Sequence, residues 1–194
     1  MSKSILLPIH PEYCEYIFSG IKKREIRKVL PKIEFPCKVY VYMTQEKRLA
    51  TFIKKGDCCG QGIDGKPAYA DSNCPVRRYN PLSQKVIGEF ICTGYDKLVH
   101  CGTTNHNAML HLVDDNYNTR PITKKFLDLC CLSYKQLEDY SKGGDLYALH
   151  ITDARLYVKP KELSEFTGLR KTKFGYEPVD IKRPPQSFCY VEEI

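Results

Sequence analysis

Residues 20–27 of the chain, Gly-Ile-Lys-Lys-Arg-Glu-Ile-Arg, bring a turn residue, an amine, a carboxylate and a guanidinium within eight positions. If residues 24–27 are extended, the two-residue period of a strand places Glu25 and Arg27 on one face and Ile26 on the other. Lys22 lies in the turn leading in, where its long stem can reach over that face. An acid, an amine and a fixed planar cation around one cleft can orient a polar ligand or move a proton. The competing reading is a solvated strand edge laced with surface ion pairs, which carries no chemistry. A further carboxylate, Glu89, stands between Gly88 and Phe90 in an otherwise apolar run. It points either to solvent or into a pocket that would raise its pKa.

These groups need elements to hold them. Residues 11–19 read as a helix: Pro11 suits a first helical position, Glu12 and Glu15 favour the positive end of the helix dipole, and Gly20 is a natural stop. Residues 4–9 read as a first strand. Residues 38–44 alternate, with Val39, Val41 and Met43 on one face and Tyr40, Tyr42 and Thr44 on the other. The tyrosine face either lines a pocket or packs under the first helix. Further strands are expected over residues 86–92, 146–151, 154–158 and 186–191. Helices are expected over residues 124–131 and after Ser133, whose spacing to Gln136 has the form of a capping box.

A length of 194 residues fits one domain, with hydrophobic content of 42% and charged content of 27%, values of a globular chain. No apolar run approaches membrane-spanning length and no signal-peptide pattern opens the chain, so no membrane partner and a cytoplasmic location are expected. A net charge of +7 favours an anionic partner such as nucleic acid. Ten cysteines in such a setting read mainly as reduced thiols, with Cys14, Cys37, Cys92, Cys130, Cys131 and Cys189 set among apolar residues. Cys58, Cys59 and Cys74, with His100 or Cys101, are weighed as zinc ligands, but the missing CxxC pair argues against it. No metal and no cofactor is expected. Residues 45–85 change character, with glycine and cysteine in the first half and Arg77-Arg78-Tyr79 in the second, and read as an inserted loop. Lys54, Lys55, Arg77, Arg78 and Tyr79 would give that loop a basic, aromatic arm. A second basic run, Lys159, Lys161, Arg170, Lys171 and Lys173, has Phe174 and Tyr176 beside it.

Gly20-x-Lys22-x-x-Glu25-x-Arg27 resembles the GxKxxExR motif of ASCH domains. Residues 9–13 and 17–20 resemble the first helix and turn of that family, and residues 39–44 and 86–90 its next two strands. Residues 160–166 and 183–190 resemble the tail of phage and bacterial ASCH proteins. The resemblance implies an α+β fold: a PUA-like mixed β-barrel of about five to six strands with flanking helices. It implies one domain over residues 1–194, interrupted by the Cys/Gly-rich insertion at about residues 45–85.

Function follows from the same resemblance. PUA-like barrels are mostly RNA-associated, so RNA or a nucleotide is expected in a basic cleft beside the motif. Lys22 and Arg27 would neutralise phosphate, and Glu25 would fix Arg27 or accept from a base amino group. Tyr42, Thr44, Gln186 and Ser187 are further ligand-binding candidates. The alternative is a hydrolase acting on a modified nucleoside or on RNA, with Lys22, Glu25 and Glu89 as catalytic candidates. Family members resembling N4-acetylcytidine amidohydrolase use a lysine, a threonine and a glutamate, and others are ribonucleases with a lysine-centred site. Here Lys22 matches the lysine, but Glu25 stands where the threonine would be, which removes the hydroxyl nucleophile. A third reading is a phage-type interaction protein engaging a protein partner through the inserted loop.

Overall fold

The computed structural model describes residues 3–45, 82–102, 109–114 and 116–194, and the backbone alone of four short strands between residues 50 and 77. The chain runs β1 (Lys3–Ile9), α1 (Pro11–Phe18), β2 (Arg24–Arg27) and β3 (Cys37–Met43). The four short strands follow: β4 (Ala50–Ile53), β5 (Cys58–Gln61), β6 (Pro67–Tyr69) and β7 (Cys74–Arg77). Next come β8 (Val86–Cys101), β9 (Met109–Val113), β10 (Thr119–Pro121), α2 (Lys124–Cys130), α3 (Tyr134–Ser141) and β11 (Leu146–Lys161). A 3₁₀ turn (Leu163–Glu165) leads to β12 (Thr167–Thr172), β13 (Gly175–Asp180) and β14 (Cys189–Glu192). Among the described residues no helix is long and apolar enough to cross a membrane.

The main sheet has ten strands in the order β10-β9-β8-β3-β1-β14-β12-β13, with β11 pairing both β8 and β2. This corrects the expectation of about five to six strands. The sheet is mixed, β1 and β3 being parallel, and among the described residues its ladder does not close into a barrel. Two 16-residue strands account for the difference. The first half of β8 pairs with β3, its second half with β9, and its length with β11. The stretch between residues 92 and 124, where no strand is expected, therefore supplies the second half of β8 with β9 and β10, and residues 146–161 form one irregular strand rather than two. Asp153 has φ +48° there, beside a register shift between Thr152 and Arg155. Strands β4–β7 form two separate two-stranded ladders, β4 with β7 and β5 with β6. The side chains proposed for zinc (Cys58, Cys59, Cys74) and for the basic arm lie outside the described residues.

Alternation in β1 and β3 decides where the core sits. Ile5, Leu7, Val39, Val41 and Met43 meet Cys14 and Ile17 of α1 on one face. Leu6, Tyr40 and Tyr42 meet Val86, Phe166 and Val191 on the other. A third cluster joins Ile26 and Ala148 to Phe126, Cys130 and Leu137 of α2 and α3. Each fully buried Leu or Ile contributes about 1.5–3 kcal/mol of apolar transfer. Both later helices are capped by side chains: Thr123 accepts from Phe126 N, and Ser133 with Gln136 completes the expected capping box. Helix α1 presses closely on the sheet because Gly88 leaves room. A Cβ there would lie 2.6 Å from Phe18 Cζ and 2.4 Å from the Arg155 carbonyl oxygen.

Candidate functional site

The site begins where α1 ends. Gly20 adopts φ +78°, a left-handed conformation that L side chains resist, and turns the chain so that Lys22 N donates to the Tyr16 carbonyl at 2.9 Å. Lys23 N donates to the Leu129 carbonyl at 2.8 Å, tying the turn to α2. Strand β2 then lies on β11, with Glu25 opposite Leu149 and Arg27 opposite Tyr147.

These anchors point Lys22 inward. Its side chain is 2% exposed, and its Nζ donates to the Cys130 carbonyl and lies 3.5 Å from Glu25 Oε2. Arg27 Nη2 lies 2.9 Å from Glu25 Oε1 and donates to the Pro8 carbonyl at 2.8 Å. Arg27 Nη1 donates to the Ser187 carbonyl at 3.4 Å, and its buried Nε has no hydrogen-bond partner among the described residues. Glu25 and Arg27 are themselves buried, so the solvated-edge reading does not hold. One carboxylate between two cations leaves the cluster with one excess positive charge.

Above the cluster opens a cleft of about 390 Å³. Tyr13 and His10 form one wall; Gln136, Asp139 and Tyr140 of α3 form the other. Lys22 Nζ lies 4.8 Å from the Tyr13 ring centroid, and Lys28 Nζ lies 5.0 Å from that of Tyr140. Burial pushes both phenols above their ordinary pKa, with Glu12 and then Glu25 adding to the rise at Tyr13 and Arg27 opposing it at Tyr140, so both remain hydroxyl donors at neutral pH. The volume lies in the range of small-molecule pockets.

The other sequence-derived candidates lie apart from this cleft. Glu89 pairs in register with Tyr40 and so faces the opposite side of the sheet. There its Oε2 accepts from Tyr157 Oη at 2.7 Å and lies 4.0 Å from Lys38 Nζ. Tyr42 packs in the Leu6–Phe166 cluster on that same side. Thr44 follows β3, its backbone N–H donating to the Ile9 carbonyl at 2.9 Å, while its Oγ1 is buried and has no partner among the described residues. Ser187 reaches Arg27 through its carbonyl rather than its hydroxyl, and Gln186 is exposed.

Tyr13 falls in the helix expected over residues 11–19 and Gln136 in the expected capping box, but no local signal marks Asp139 or Tyr140 as cleft residues; α3 brings them in by packing. A neighbouring cluster was also missed. Asp96 Oδ2 lies 2.8 Å from Arg24 Nε and 3.0 Å from His150 Nε2. Burial alone would raise the Asp96 pKa, but the hydrogen bonds from His150 and Arg24 outweigh it and hold the carboxyl below its ordinary value. Among the described residues no group of histidine, cysteine and carboxylate side chains is arranged to hold a metal ion.

No family model matches the chain, and no curated protein matches it. Two solved structures of the ASCH protein ZmASCH from Zymomonas mobilis are similar to it. Its serine-to-alanine variant matches at 15% identity with a TM-score of 0.51, covering 98% of this chain and 89% of that one. Its tyrosine-to-phenylalanine variant matches at 16% identity with a TM-score of 0.48, covering 98% and 91%. On the first of these likenesses, this chain has the ASCH fold.

Proposed function

We propose that the protein binds RNA or a nucleotide in the cleft over Lys22, Glu25 and Arg27. The observation that supports this best is the excess positive charge of a buried ion cluster at the floor of an open cleft with tyrosines on both walls. Lys22 and Arg27 attract a phosphate or a carbonyl oxygen. Tyr13 and Tyr140 offer ring faces to a base, and Gln136 an amide for its edge. Glu25 orients the two cations rather than acting as a free base, since both already hold it.

The hydrolase alternative has one carboxylate fewer than the sequence offered it, because Glu89 lies across the sheet from Lys22. Incubating the protein with total RNA and a panel of modified nucleosides, beside Lys22→Ala, separates the readings by mass spectrometry. RNA or nucleotide retained by wild type and lost from the variant, with no new product, supports binding. A product formed by wild type alone would replace it with the hydrolase. Neither retention nor product would leave a protein partner of residues 45–85 as the reading to test.

A further inference from the structure

The basic run near the end of the sequence is not part of the cleft, yet the sheet places one of its members, Lys171, on the same face. Ile5, in the core under α1, is in register with Tyr190, and Tyr190 with Leu169 of β12. Residues two apart share a face, so Lys171 stands on that face too, opposite Tyr176 of β13. Ring contacts make the path continuous. Phe188, next to the Ser187 carbonyl that holds Arg27, meets Tyr190 at 5.6 Å between centroids, and Tyr190 meets Tyr176 at 5.6 Å. Lys3 Nζ lies 4.6 Å from both tyrosine centroids and donates to Tyr176 Oη at 3.2 Å, holding the hairpin one pair short of its tip.

Beyond Tyr176 the hairpin projects. Thr172 and Gly175 pair across its tip, so the loop is Lys173-Phe174, and Thr172 Oγ1 accepts from Phe174 N at 3.2 Å. Phe174 is 98% exposed. Lys171 and Lys173 are exposed as well, and neither forms an ion pair among the described residues. A bare aromatic ring flanked by unpaired cations, at the end of a row leading from a basic cleft, matches a strand with negative charge and unstacked bases.

We infer that the β12–β13 hairpin is a second contact surface for single-stranded nucleic acid, holding the stretch that runs out of the cleft. Phe174 stacks on a base, and Lys171 and Lys173 neutralise phosphates. The direction of the strand rests on the cleft reading; the hairpin's own affinity does not. A duplex keeps its bases stacked and offers Phe174 nothing to face.

Fluorescence anisotropy with a labelled oligouridine of about twenty nucleotides, beside calorimetry with uridine monophosphate, tests it. Phe174→Ala should weaken oligouridine binding by roughly fivefold or more. The double variant Lys171→Ala/Lys173→Ala should lower the log–log salt slope by about 0.7 per lysine. Both variants should bind the mononucleotide as wild type does. All three side chains are exposed, so the variants keep the fold. Oligouridine binding equal to wild type in both variants overturns the proposal, as does a wild-type protein that does not bind the oligomer. If hairpin variants weaken the oligomer while Lys22→Ala changes neither ligand, the hairpin proposal stands and the cleft reading falls. If Lys22→Ala loses both ligands and the hairpin variants lose neither, the reverse holds.

Discussion

Lys22 and Glu25 form an ion pair of 3.5 Å in which the lysine is 2% exposed and the glutamate side chain 9% exposed. Taking an ammonium and a carboxylate out of water costs several kcal/mol each, so such a pair persists only when further partners complete it. Here Arg27 supplies the second oxygen of Glu25 with a cation, and the Cys130 carbonyl supplies Lys22 with an acceptor.

Neutralising the anion should therefore be severe. Glu25→Gln leaves two buried cations facing each other, and unfolding in urea should show a loss of about 3–5 kcal/mol. A loss below about 1 kcal/mol would mean that water reaches both cations and that the cluster behaves as a surface pair.

Lys22→Met keeps most of the side-chain volume and removes the charge. The Cys130 carbonyl and Glu25 each lose a donor, which should cost about 1–3 kcal/mol in urea unfolding. Nucleotide retention should fall to background while the circular dichroism spectrum stays that of wild type. Retention unchanged in this variant would remove Lys22 from the binding role.

Asp96 gives a pH dependence whose sign follows from its depressed pKa. Its contribution is full above the ordinary value of 3.8 and is lost as pH falls from there through the lower folded value. Asp96→Asn should be less stable than wild type at neutral pH, and the gap should narrow in that acid window. Parallel acid limbs in urea titrations of the two proteins would contradict the ion pair with Arg24 and the contact with His150.

Gly88→Ala tests the approach of α1 to the sheet. Its new methyl would meet Phe18 and the Arg155 carbonyl well inside contact distance, and backbone cannot retreat as a side-chain end can. A loss of about 1–3 kcal/mol is expected in thermal unfolding. Adding Phe18→Leu should recover only part of it, because the carbonyl clash remains.

Local chemistry made some of this legible. Proline at the start of α1, glycine past its end, the alternation of β3 and the Ser133–Gln136 box each act over a few residues, and each stands in the structure. The association of Lys22, Glu25 and Arg27 followed from a turn and a two-residue period. Glu89 shows where that reasoning stops: its apolar neighbours revealed a buried strand but not which face held the cleft, and its partners Tyr157 and Lys38 come from distant strands. The two long strands were shortened in the reading because bulges interrupt their period. The β12–β13 hairpin is hidden in the sequence because most of its residues are exposed, leaving no apolar alternation to detect. The capping box marked the start of α3, but nothing marked Asp139 and Tyr140 as a cleft wall, since only packing brings them beside Arg27.

Arg27 also binds the site to the order of synthesis. Its guanidinium holds the Pro8 carbonyl, 19 positions earlier, and the Ser187 carbonyl, 160 positions later, while β1 takes β14 as its sheet neighbour. On the ribosome, the charged turn emerges early and waits for Ser187 to clear the exit tunnel before its guanidinium is fully held. A nascent chain stalled before that residue should pair β2 with β11 yet lack this hold on Arg27, and extension past the tunnel should supply it. Closure of the cleft floor thus waits on a segment synthesised long after the motif itself.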